Sequence, residues 1–173
     1  MRNKKSILNM AYTAVFTTII MLFTAAIKIS TGFGEGYIHL GDSMIYLCAC
    51  VLPLPYCLVA AALGGALADI LAGFAIWSIP TAIIKTLIAL PFVLVAKKNP
   101  SKILNKQTAF MPFVSGAISL VGYFLTECIL YSVPSATLSI FGNTIQALGS
   151  AVTFYVMTIA LDKTNFKRRI NND

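Results

Sequence analysis

Eleven of the thirteen lysines and arginines in this chain fall into three clusters. They are Arg2, Lys4, Lys5; Lys97, Lys98, Lys102, Lys106; and Lys163, Lys167, Arg168, Arg169. Each cluster flanks a long apolar run. Basic residues gathered at the ends of apolar runs mark the cytoplasmic side of membrane-spanning helices. The rest of the composition agrees: 58% of the 173 residues are hydrophobic and 11% are charged, with a mean hydropathy of +0.82. Soluble domains carry about 25% charged residues. The net charge of +7 therefore reports membrane topology, and nucleic acid is not the partner it implies. The basic start followed by an apolar run resembles a signal peptide. The run is too long for that, however, and no small-residue cleavage site ends it, so it reads as a retained first helix.

A helix needs about 20 apolar residues to cross a bilayer core. The runs at 7–27, 40–52, 56–73, 79–96, 109–131 and 138–161 supply six candidates. The second is short and ends at Pro53-Leu-Pro55. The expected fold is all-α: six transmembrane helices in one compact bundle, a single domain over residues 1–173. An even number of crossings puts both termini on one side. All three basic clusters then fall in the cytoplasm, and segments 28–39, 73–79 and 132–137 face outward.

Few charges remain within the runs, and such residues usually face an interior or a cavity. Asp69 and Glu127 lie roughly 6 Å, and Lys85 about 9 Å, from the outward ends of their helices. Asp42 starts the second run. Asn143 and Gln146 are three apart on one face of the sixth. All of these fall in the outward half, which predicts a capture site rather than a continuous pore. Tyr37, Trp77, Tyr123 and Tyr131 add an aromatic wall, with Tyr123, Glu127 and Tyr131 on one stripe. Such a wall with a few convergent polar groups suits a small flat heterocycle. Lys85 and Glu127 fit either a structural ion pair or ligand contact. Asp69 fits a local cap near Gly73, and Trp77 fits an interfacial anchor. His39, the only histidine, has no nucleophile or metal partners in the sequence pattern. Cys48-x-Cys50 is not a zinc spacing, and the four cysteines read as buried thiols. No catalytic residue, metal or cofactor is expected. No P-loop occurs, so active uptake would require a partner or an ion gradient.

Four stretches together resemble the substrate-binding S components of energy-coupling factor (ECF) transporters. They are the basic start with "MAYTAVFTTI", then "GYIHLGDSMIYL", "GGALADILAGFAIWSIPTAIIKTLIA" and "GNTIQALGSAV". The resemblance implies a six-helix subunit in the bacterial plasma membrane that captures a vitamin or related nutrient. It implies docking onto a membrane coupling subunit driven by two ATPases, and toppling to release the nutrient inside. The docking stripe would be Ala11, Ala14 and Thr18, although Thr18 departs from the family's Ala-x-x-x-Ala. The first loop would fold over the pocket, with Glu35, Tyr37, His39 and Asp42 as lid and rim. The residues favour an uncharged or cationic nitrogen heterocycle. Two other readings stand beside this one: a six-span scaffold of cell-envelope machinery, and a stand-alone ion-coupled carrier.

Overall fold

An eleven-residue helix, α2 (Gly41–Val51), has every one of its residues buried. At 1.5 Å per residue it is about 16 Å long, roughly half the hydrocarbon core of a bilayer. It contacts α1, α3, α4 and α6. A helix enclosed on all sides needs no length to match lipid, which is why so short an apolar run suffices. Prolines set its lower limit. Leu52 is extended, as residues before proline are, and Pro53 and Pro55 open the next helix, where a missing N–H costs nothing.

In this computed structural model, residues 2–26, 29–30, 37–96 and 102–172 are described. The other helices are α1 (Arg2–Ala25), α3 (Leu54–Ala72), α4 (Ser78–Ala96), α5 (Lys106–Leu130), α6 (Val133–Lys163) and α7 (Phe166–Asn172). Two-residue strands β1 (Ile29–Ser30) and β2 (Tyr37–Ile38) pair antiparallel, Ile29 with Ile38 and Ser30 with Tyr37. They are the only strands among the described residues. Each of the six predicted runs falls on a helix among the described residues, and five helices, α2 excepted, are long and apolar enough to cross a membrane. These five turn large apolar side chains outward, among them Leu71, Ile79, Ile83, Leu125 and Ile129. Patches of that extent are foreign to a water-facing surface.

Two boundaries differ from expectation. Segment 132–137 is not a loop, because α6 begins at Val133. Ser132 caps it, its hydroxyl accepting from the Ser135 N–H, and Pro134 sits in the first turn, where proline is tolerated. Segment 73–79 contains a 3₁₀ turn, Ala75–Trp77, after Gly73 ends α3 with φ of 87°.

The chain runs up and down, so one end of the bundle collects the C-termini of α1, α3 and α5 and the N-termini of α2, α4 and α6. This is the upper end. The diglycine of α3 draws its neighbours in on two sides. A Cβ on Gly64 would lie 2.7 Å from Ile20 Cγ2 of α1, and one on Gly65 would lie 2.7 Å from Lys85 Cγ of α4. Small residues that let backbones approach are the usual means of packing helices in lipid.

At the lower end α7 folds back, with Phe166 and Ile170 against the core. Lys167 donates to Ala96 O (3.0 Å) and Lys102 O (3.5 Å), and burial lowers its pKa. The Asp162 carboxylate accepts from the N–H groups of Ile103 (2.8 Å) and Leu104 (2.9 Å). Asn105 and Thr108 form a capping box that starts α5.

Candidate functional site

Polar side chains from four helices and one loop meet at the upper end. Asp42, in the first turn of α2, forms an ion pair with Lys85 of α4 at 2.5 Å. The side chains are 1% and 0% exposed, so the pair is fully enclosed. Gln146 of α6 donates through Nε2 to the other Asp42 oxygen at 3.3 Å. His39 stands just ahead of α2. Its Nδ1 accepts from the Gly41 N–H (3.2 Å), and its Nε2 lies 3.4 Å from Lys85 Nζ. Gly65 makes this arrangement possible, since any side chain there would collide with the lysine stem.

A second group sits toward the end of α5. Lys85 Nζ lies 5.2 Å from the centroid of the Tyr123 ring, and the Tyr123 hydroxyl is 3.5 Å from Thr81 Oγ1. Trp77 touches both Tyr123 and Tyr131, with ring centroids 6.0 Å apart in each case. Trp77 Nε1 donates to the Tyr131 hydroxyl at 3.2 Å. Tyr131 caps α5, yet its N–H still bonds to Glu127 O (2.9 Å), so it keeps its place on the stripe. Glu127 lies one turn from each tyrosine. It is buried, and it faces Ser139 and Asn143 on α6. Its Oε2 has no partner.

The expected residues thus fall into two groups joined at Lys85 and Tyr123. His39, Asp42, Lys85 and Gln146 form the lower one. Trp77, Tyr123, Glu127, Tyr131 and Asn143 form the upper one. The expected choice between Lys85–Glu127 pairing and ligand contact resolves differently: Lys85 pairs with Asp42, which rises from the nearer helix end, and Glu127 faces α6. Tyr37 pairs with Ser30 in the strand ladder, and Glu35 lies outside the described residues. Near Gly73 it is the Asp69 backbone carbonyl, accepting from Phe74 N–H at 2.8 Å, that closes α3. Among the described residues no three His, Cys, Asp or Glu side chains gather as a metal site.

Below the polar layer lies an aromatic one. Tyr46 stacks on Phe92 at 4.5 Å, and Phe154 meets both edge-on at 5.9 and 5.1 Å. Tyr46 and Ser150 were not among the expected residues, although their hydroxyls are buried and unpartnered. Each lies one helical turn past an expected residue, Asp42 or Gln146, and that i, i+4 spacing was the available sign.

The residues expected to form a docking stripe lie elsewhere. Along α1, Phe16, Ile20 and Thr24 are buried, whereas Ala11, Ala14 and Thr18 are exposed. The Thr18 hydroxyl bonds back to Ala14 O at 3.0 Å.

Comparison with protein families matches residues 4–163 to the description "ECF-type riboflavin transporter, S component". Comparison with curated proteins gave no match.

Proposed function

This chain belongs to the family of ECF-type riboflavin transporter S components, and from that premise we propose that it captures a flat nitrogen heterocycle at the upper end of its bundle. The family is one of vitamin-transporter subunits, not of enzymes. In this reading the upper end faces outward, α2 completes six spans, and both termini are cytoplasmic. The chain is one domain lodged in a bacterial plasma membrane. The observation that carries the proposal is the junction at Lys85 and Tyr123. It brings an enclosed polar floor from α2, α4 and α6 against an aromatic wall from the 3₁₀ turn and α5.

The parts have separate tasks. Trp77, Tyr123 and Tyr131 offer ring faces for stacking, and Glu127 with Asn143 offers hydrogen bonds at the ring edge. Asp42, Lys85, His39 and Gln146 hold α2, α4 and α6 together beneath, and the Tyr46–Phe92–Phe154 layer closes the path below. Because the floor is buried, the ligand enters by a rearrangement at the outward end. Release then requires a second protein. The exposed small residues Ala11, Ala14 and Thr18 supply a face on which a membrane coupling subunit with two ATPases would dock.

The test is equilibrium binding to the purified full-length protein in nanodiscs, read by emission of Trp77, the only tryptophan. Riboflavin is the first compound, given the family's description, followed by a panel of heterocyclic vitamins. Saturable quenching by one of them is expected. If none binds saturably, the capture role is wrong.

A further inference from the structure

One buried carboxyl at the upper end, that of Glu127, keeps an oxygen without a hydrogen-bond partner. Among the described residues, Lys85 is the buried lysine there. Lys85 is committed to Asp42. Glu127 is 7% exposed, and one of its oxygens has no hydrogen-bond partner. A buried carboxyl oxygen left without a partner is destabilising. Something that supplies a donor at that position would offset this.

The surroundings indicate which donor. Glu127 lies between Tyr123 and Tyr131 on α5, and Trp77 contacts both of those rings and hydrogen-bonds to the second. Aromatic faces carry negative potential and attract cations. An aromatic ridge beside a buried carboxyl with an unpartnered oxygen therefore favours positive charge twice over. Ser139 and Asn143 of α6 stand near the carboxyl. Oε2, which has no partner, is the atom open to a ligand.

Resting on the capture role above, we infer that Glu127 and the Trp77–Tyr123–Tyr131 ridge select a ligand whose ring carries a positively charged or protonated nitrogen. Glu127 would form a charge-assisted hydrogen bond or close ion contact with that nitrogen. A neutral ring with an ordinary N–H would gain less, because a glutamine oxygen would serve it equally well.

The experiment is calorimetric titration of the full-length protein in nanodiscs with thiamine, a thiazolium cation, and riboflavin, a neutral ring, alongside the wider vitamin panel. Wild type, Glu127→Gln and Glu127→Asp are compared, with thermal unfolding as the check on folding. The expected result is preference for a cationic compound. Glu127→Gln should weaken its binding on the order of tenfold or more, Glu127→Asp should retain most of the preference, and the loss should be smaller for neutral rings. If a neutral ring binds best and Glu127→Gln changes nothing, this inference fails while the capture role stands. Should Glu127→Gln not fold, loss of the cation preference in Glu127→Asp overturns the inference equally. Saturable binding by no compound overturns both.

Discussion

Replacing Lys85 by methionine keeps most of the side-chain volume and removes the charge. Asp42 would then keep the Gln146 amide as its side-chain hydrogen-bond donor, with its own side chain 1% exposed. Breaking a buried pair from one side costs about 3–5 kcal/mol, because a lone charge stays behind in a poorly polarisable interior. Against a typical unfolding free energy of about 5–15 kcal/mol, that is a large share. The double variant Lys85→Met, Asp42→Leu removes both charges, and replacing a buried pair with apolar residues is often neutral. The double variant should therefore unfold closer to wild type than the single one does. Unfolding can be followed by circular dichroism in mixed micelles as the SDS fraction rises, with the fourth corner of the cycle supplied by Asp42→Leu. Two results would refute the reasoning. One is a Lys85→Met cost below about 1 kcal/mol, the range of exposed pairs. The other is simple additivity of the two single variants.

Three further outcomes follow from the packing and the topology. Gly64→Val forces a side chain into Ile20 and the Thr17 carbonyl, 2.7 and 3.0 Å from where its Cβ would stand. It should cost about 1–3 kcal/mol by overpacking in the same SDS titration, whereas Gly73→Ala meets no neighbour and tests backbone strain alone. Asp162→Ala withdraws the acceptor from two N–H groups at the start of the α5 connection and should cost about 1.5–3 kcal/mol, with faster hydrogen exchange at Ile103 and Leu104. Cysteines placed at Lys106 and Lys163 in a Cys128→Ala background should react with an impermeant maleimide only after cells are opened. One placed at Ser132 should react in intact cells, and the reverse pattern would invert the topology.

How much of this was legible in the residues depends on the kind of question asked. Helix positions were, because lipid makes the apolar runs and the basic clusters nearly sufficient. The start of α6 was not. Pro134 reads as a breaker until Ser132 is seen to cap the turn that contains it. The one-sided distribution of Asp42, Lys85, Glu127 and Asn143 was also visible, since depth along a helix is a matter of counting. Their pairing was not visible. Lys85 sits at comparable depth to Glu127, and choosing Asp42 over Glu127 requires knowing that α2 lies at the centre and that Gly65 clears a channel for the lysine stem. Tyr46 and Ser150 stayed hidden for a related reason: a tyrosine or serine in an apolar run is unremarkable until its hydroxyl is found enclosed.

The enclosure of α2 also bears on how the protein is made. Emerging from the ribosome second, α2 holds Asp42 and spans about half the thickness of the membrane it must enter. Its counter-ion arrives with the fourth helix and its amide partner only with the sixth. During synthesis it is therefore a segment without a home, neither long enough to anchor in lipid nor yet sheltered by protein. Insertion machinery has to hold it until nearly the whole chain is translated. Truncation anywhere before Gln146 should leave a product that cellular quality control removes.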